Sequence, residues 1–189
     1  MKRAIYILAV STLLYMTVTA QDIPLTTRGT VELSGNLSFS SYRAPATDKS
    51  YSVLNIAPQV SYFLTDNISV GLATGVGIFP GLSVVSPDGG GSTTTFQIFA
   101  SPAYHFQTGS NEVIPFVEGQ VGYALTSDEA VSSKGLSYGG RTGIKYVPVD
   151  HLVLTFAGQF LSIRLKRDGD DRRLGWDYWT IGIGVGAYL

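Results

Sequence analysis

The sequence predicts an all-β fold: an eight-stranded antiparallel up-and-down barrel that crosses a bilayer. Three observations carry this. In the last segment Trp179, Ile181, Ile183, Val185, Ala187 and Leu189 alternate with Tyr178, Thr180, Gly182, Gly184, Gly186 and Tyr188. Strict period-two alternation is a strand with a different environment on each face. Seven earlier segments repeat the pattern, and none places a charge on its apolar face. Finally, the connectors alternate between tight turns and long polar loops. Greasy outside, polar inside and short turns at one end describe a barrel in lipid.

The first predicted strand, Thr30 to Ser40, sets Val31, Leu33, Leu37 and Phe39 against Glu32, Ser34, Asn36 and Ser38. The second, Val53 to Leu64, turns Leu54, Ile56, Val60, Tyr62 and Leu64 outward. The third, Ile68 to Phe79, offers Ile68, Val70, Leu72, Val76 and Ile78, with Ser69 and three glycines behind them. In the fourth, Thr93 to Phe106, Phe96, Ile98, Tyr104 and Phe106 oppose Gln97, Ser101 and His105. The fifth, Val113 to Thr126, sets Val113, Val117, Val121, Tyr123 and Leu125 against Glu118, Gln120 and Thr126. In the sixth, Leu136 to Pro148, Tyr138, Ile144 and Tyr146 oppose Arg141, Gly143 and Lys145. The seventh, Leu152 to Ile163, sets Leu152, Leu154, Phe156 and Phe160 against Thr155 and Gln159. The eighth is the terminal strand. Each is long enough to cross a bilayer at a tilt. Pro58, Pro102, Pro115 and Pro148 fall at outward positions, where a missing ladder donor calls for a bulge or a strand end.

Thr65-Asp66-Asn67, Val149-Asp150-His151 and Gln107 to Glu112 are the short connectors. Ser41 to Ser52, Pro80 to Ser92, Ser127 to Gly135 and Leu165 to Trp176 are the long ones, rich in Gly, Ser, Asp and Lys. An even strand number puts both termini at the short-turn, periplasmic end.

The totals agree. The chain has 189 residues, 44% hydrophobic and 14% charged, with 22 glycines and no cysteine. Mean hydropathy is +0.19. No apolar run beyond the N-terminus reaches the roughly 18 residues of a helical span. Met1-Lys2-Arg3, the apolar stretch Ala4 to Met16, and Val18 and Ala20 at the −3 and −1 positions read as a cleaved signal peptide over residues 1–20. Residues 21–189 then form one barrel domain. An uncleaved anchor helix is the rival, but Ser11, Thr12, Thr17 and Thr19 dilute a stretch already short for a span. With no cysteine after the leader, a lipoprotein is excluded. Net charge is −1, or −3 once Lys2 and Arg3 leave with the leader, so nucleic acid is not the expected partner.

Four stretches resemble the small outer-membrane β-barrels, the porin-family group that includes OmpA- and OmpX-type barrels. They are Pro58 to Leu72, Ser101-Pro-Ala-Tyr104, Pro115 to Tyr123, and the terminal strand. Each reports architecture more than activity. The resemblance implies location in the outer membrane, insertion by the barrel-assembly machinery, and a monomer with lipid and lipopolysaccharide as its surroundings. Two departures stand out: family members commonly end in Phe or Trp whereas this chain ends Tyr188-Leu189, and no peptidoglycan-binding domain follows the barrel.

Within the strands, charges fall only on the inward parity, at Glu32, Glu118, Arg141 and Lys145. Folding the fifth strand onto the sixth is expected to set Glu118 nearly opposite Lys145, with Arg141 a step further up. Two acids and two bases in an eight-stranded lumen form either an internal ionic plug or an ion path, and the narrow interior favours the plug.

No catalytic residue, metal ligand or cofactor site is expected. The two histidines, His105 in the lumen and His151 in a short turn, lack a Ser two residues on and stand too far apart for a metal. Asp168-Gly169-Asp170-Asp171 lacks calcium-loop spacing, and the cations around it are suited to lipopolysaccharide phosphates. Tyr62, Tyr104 and Phe106 below, with Tyr123, Tyr138 and Trp179 above, read as interfacial girdles. The expected role is structural or narrow and porin-like. The alternatives are a transporter of small hydrophobic solutes with a lateral exit, a loop-mediated adhesin, and, at the level of fold, a soluble lipocalin-like barrel with inverted faces.

Overall fold

A computed structural model describes residues 25–43, 50–80, 92–108, 112–127, 132–167 and 173–189. The leader, residues 1–20, and the acidic run 168–171 lie outside the described residues. Eight strands follow in order: β1 (Val31–Arg43), β2 (Ser50–Thr65), β3 (Ile68–Pro80), β4 (Ser92–His105), β5 (Val113–Ser127), β6 (Ser132–Val149), β7 (Leu152–Arg167) and β8 (Arg173–Tyr188). Each pairs antiparallel with the next, and β8 returns to β1, closing an up-and-down barrel.

The predicted parity holds in every strand. Leu33, Ile56, Leu72, Ile98, Val121, Ile144, Phe156 and Ile183, one from each strand, are 41–57% exposed on the outer surface. Exposed apolar side chains around a whole circumference suit hydrocarbon and not water. The lipocalin-like alternative requires these side chains inside and is thereby overturned.

The strands outrun their predicted upper ends. Much of the expected loop from Leu165 to Trp176 is ladder, with β7 running to Arg167 and β8 starting at Arg173. β6 likewise begins at Ser132 instead of Leu136. Alternation reports the bilayer, not the strand: above the lipid both faces meet polar surroundings, so the pattern fades while backbone pairing continues.

Prolines are accommodated as gaps. The β2–β3 ladder omits Ala57 and Pro58, opposite Thr74 and Gly75. The β4–β5 ladder omits Ser101 and Pro102. Pro58 and Pro102 keep register with their other neighbours, opposite Gly35 and Val70; Pro148 sits in the register shift between Tyr146 and Val149, and Pro115 stands opposite Ile144. The tight turns use Asn67 (φ 69°) and His151 (φ 66°) in the left-handed region, which Asn tolerates through its short polar side chain. His151 holds its place through Nδ1, 3.0 Å from the carbonyl of Tyr188. On the inward face of β6, a Cβ at Gly139 or Gly143 would lie 2.0 or 2.1 Å from a carbonyl oxygen of β7, so close strand approach requires glycine there.

The closing seam is uneven. At its short-turn end Val31 and Leu189 exchange both backbone hydrogen bonds (3.1 and 2.7 Å), and the ladder continues from Glu32–Tyr188 to Phe39–Ile181. There it stops. Above it, Arg173 to Thr180 pair only with β7, and Ser40 to Arg43 only with β2. Trp179 and Ile181, at 72% and 79% exposure, border this opening.

Candidate functional site

The lumen is filled in three layers. At the short-turn end Phe63, Ile114, Val147, Val153 and Tyr188 form an apolar cluster, with Leu25 packed against it. The segment before β1 covers this end. Arg28 N donates to Asp66 Oδ1 (3.0 Å), and Gly29 N donates to the carbonyl of Phe63 (2.9 Å). At the long-loop end a second apolar cluster contains Ala73, Phe99, Ala124, Leu161, Ile163, Leu165 and Tyr178. Between them lies a polar layer containing all four predicted charges.

Those charges form two pairs, and the partners differ from the sequence expectation. Arg141 stands directly opposite Glu118 in the β5–β6 ladder, and its Nη2 lies 2.8 Å from Glu118 Oε2. Lys145 stands opposite Ile114 and reaches across the lumen to Glu32 Oε2 on β1, at 2.5 Å. The expected Glu118–Lys145 contact is therefore corrected. The loop between β5 and β6 is shorter than the sequence implied, because both strands continue into it, and the ladder register moves with it. All four side chains are at least nine-tenths buried.

Phe116 connects the pairs. Its ring lies 5.3 Å from the Arg141 guanidinium carbon and 5.2 Å from Lys145 Nζ, within cation–π range of both.

A chain of amides completes the layer. Gln59 Nε2 donates to Glu118 Oε2 (3.0 Å) and to Ser61 Oγ (3.1 Å), while Gln59 Oε1 accepts from Arg141 Nη2 (2.9 Å). Gln120 Nε2 donates to Glu118 Oε1 (2.8 Å), and Gln159 Nε2 donates to Gln120 Oε1 (2.5 Å). Thr180 Oγ1 closes the chain on Gln159 Oε1 at 3.2 Å. Glu118 thus accepts from two amides and a guanidinium, the satisfaction a buried carboxylate requires. Sequence reading sought charges and so passed over Gln59, although alternation with Ile56 and Val60 outward places it inside.

The space left is small. A lumen cavity of about 30 Å³, bordered by Asn55, Gln59, Gln120, Arg141 and Gln159, is the size of one or two waters. A far larger apolar groove, about 710 Å³, lies on the outer wall where Gly35, Pro58 and Thr74 meet. Its position at the β2–β3 ladder gap makes it an indentation of the lipid-facing surface.

One juxtaposition was not visible in sequence. Ser69 Oγ lies 3.0 Å from His105 Nε2, because adjacent strands bring them together diagonally. A motif search along the chain cannot see such a pair. The imidazole is 0% exposed, tilted against Phe63 at 4.8 Å and stacked near Phe116 at 6.2 Å, and its Nδ1 has no hydrogen-bond partner. Without an orienting acid or room for a substrate it lacks the arrangement of a hydrolytic triad.

Comparison with solved structures returns small outer-membrane barrels. Neisserial surface protein A is 16% identical, with 84% of this chain and 95% of that one covered and a TM-score of 0.58. The outer-membrane protein OprG of Pseudomonas aeruginosa gives 15%, 89%, 99% and 0.60 in the same terms. The outer-membrane protein AlkL, determined in lipid bilayers, gives 15%, 92%, 95% and 0.52. This is the fold of an OmpA/OmpX-type outer-membrane barrel. At these identities the likeness is one of fold. No family model matches the chain, and no curated protein matches it.

Proposed function

We propose that the chain is an integral outer-membrane protein with a plugged lumen, serving a structural or surface-presenting role without catalysis. In this reading residues 1–20 direct export and are removed. The barrel-assembly machinery then inserts a monomer with its short turns in the periplasm and its long loops outside. The observation that supports the plug is the pairing of Glu118 with Arg141 and of Glu32 with Lys145, around a cavity of about 30 Å³. Opposite charges in mutual contact leave no uncompensated field along which an ion would move, and the cavity is too small for a hydrated ion.

Planar-bilayer recording of the refolded protein tests the reading. A plugged barrel gives no discrete conductance steps, and Glu118→Gln lowers stability without creating selectivity. Resolved steps in the unaltered protein, shifting towards anion selectivity in Glu118→Gln, would favour a narrow pore instead.

A second reading, passage of a small hydrophobic solute with lateral exit, draws support from the apolar upper layer. Leu161, Ile163 and Tyr178 lie on β7 and β8, and β8 borders the open part of the seam. A disulfide at the foot of that opening, between Ser40→Cys and Thr180→Cys, which both point inward and face each other if the register continues past Phe39–Ile181, separates the two readings. It leaves a structural protein functional and blocks a lateral route.

A further inference from the structure

The chain does not enter β1 directly from below. Gly29, at φ 95°, turns it through the left-handed region that a residue without a Cβ adopts at little cost, and residues 25–28 cover the short-turn mouth of the barrel. This segment has the parts of a hinged strap. Its hinge is Gly29. Gly29 N donates to the carbonyl of Phe63 (2.9 Å) and Phe63 N to that of Thr30 (2.9 Å), which continues the β1–β2 pairing past Val31–Tyr62. Its latch is the Asp66–Asn67 turn. Asn67 N donates to the carbonyl of Thr26 (2.8 Å), Thr26 Oγ1 donates to Asn67 Oδ1 (3.0 Å), and Arg28 N donates to Asp66 Oδ1 (3.0 Å). Its wedge is Leu25, packed against the lower apolar cluster of Phe63, Ile114, Val147, Val153 and Tyr188.

The attachment is one-sided. Among the described residues, every hydrogen bond from residues 26–29 to the barrel goes to the end of β2 or to the turn that follows it. Towards β5–β8 the strap offers the apolar side chain of Leu25. The turn is itself fixed from behind, because the carbonyl of Asn67 accepts from His105 N on β4 at 2.8 Å. The latch is thus the rigid part and the strap the part that moves. Segments with few anchoring contacts open locally at a fraction of the cost of global unfolding.

The strap also guards something. Val147 and Val153 stand two positions below Lys145 and Thr155, which pair in the β6–β7 ladder, and Tyr188 stands opposite Glu32 in the seam. The lower cluster is therefore the floor under the Glu32–Lys145 pair, and the strap is the cover over that floor. Lifting the strap exposes one leucine and gives up hydrogen bonds that water replaces. Separating Glu32 from Lys145 would instead leave two uncompensated charges at low dielectric, which costs far more.

We propose that residues 25–30 are a hinged strap that seals the periplasmic mouth, and that its release from the Asp66–Asn67 turn, with the ion pairs intact, admits water to the lower lumen. The proposal rests on the plugged reading above, with the short turns in the periplasm. It gives the barrel two seals in series, a permanent ionic layer and a releasable strap beneath it.

The test exploits a chain without cysteine. Val153→Cys puts a thiol into the lower cluster and Leu161→Cys puts one into the upper cluster, and both positions are 0% exposed. Each barrel is refolded into nanodiscs and reacted with a small water-soluble maleimide. The strap is loosened either by Thr26→Val with Asp66→Ala, which removes two of the three latch bonds, or by Leu25→Asp, which replaces the wedge by a charge. Where opening is fast against labelling, the rate follows the open population. The double latch variant is expected to label about tenfold faster or more at Val153→Cys, the effect of two ordinary hydrogen bonds. Leu161→Cys is expected to label at an unchanged rate. Rapid labelling of Val153→Cys under the unaltered strap would overturn the proposal by showing an open mouth. A rate that neither loosened strap moves would overturn it by making the apolar cluster the seal, and a parallel gain at both thiols would do so by showing that the whole barrel has loosened. Val147→Cys replaces Val153→Cys if heat-modifiable gel migration shows that the latter misfolds. Planar-bilayer recording of the same samples separates the two levels. Discrete conductance steps in the unaltered barrel refute the plugged reading, whereas a silent barrel whose thiols ignore the strap refutes the strap alone.

Discussion

Two arginine–carboxylate pairs in this molecule have the same length and opposite settings. Arg141–Glu118 and Arg164–Asp177 both measure 2.8 Å. The first pair is inside the barrel with side chains 9% and 3% exposed, and the second is on the outer wall with side chains 47% and 50% exposed. A distance therefore says little about what a pair contributes. Inside, each charge has lost its water and depends on its partner and on Gln59 and Gln120. Outside, solvent screens the attraction and hydrates either member if the other is removed.

The comparison can be broken most directly at Glu118. Glu118→Gln leaves Arg141 buried without its counter-ion and is expected to cost about 3–5 kcal/mol, read as a lower urea midpoint in bilayers. Adding Arg141→Met should restore much of that loss, whereas adding Lys145→Met should not, because Lys145 is paired with Glu32. Recovery by Lys145→Met would reinstate the register that the sequence suggested.

A smaller effect sharpens what "outside" means. Ile183, four residues below Trp179, lies near the middle of the apolar band. Ile183→Arg is expected to cost about 2–4 kcal/mol, and Trp179→Arg about 1 kcal/mol or less, since the penalty falls towards the interface. Unfolding titrations of the two variants side by side check the gradient. Equal penalties would move the hydrocarbon edge above Trp179.

The smallest effect is expected at the outer pair. Asp177→Asn should leave the unfolding midpoint within error, at low and at high salt. A clear loss that vanishes in high salt would give this exposed pair a structural role.

Much of this was legible in the sequence. Strand number, strand parity, the position of the tight turns and the inward placement of Glu32, Glu118, Arg141 and Lys145 all follow from period-two alternation, a local property. The ion partners were not legible. Glu32 and Lys145 are 113 positions apart and meet across the lumen, a consequence of barrel closure that no local pattern encodes. The Glu118–Arg141 match failed for a related reason. It depends on where β5 and β6 end, and those ends lie above the bilayer, where alternation carries no signal. Ser69 and His105 were missed because the diagonal of a ladder is invisible along the chain.

The seam also has a kinetic meaning. Seven of the eight ladders join strands that follow one another in sequence, so each forms across a short gap. The eighth joins residues 32–39 to 181–188 and brings together segments about 150 positions apart. Closing so long a loop costs about 3 kcal/mol more chain entropy than closing a hairpin of a few residues. The seven hairpins can thus assemble early while the last pairing sets the barrier. Because that pairing is anchored by the reciprocal Val31–Leu189 bonds, closure would proceed from the short-turn end and stop at Phe39. Weakening Leu37 or Ile183 would then slow assembly, while equal changes inside a hairpin would chiefly hasten unfolding.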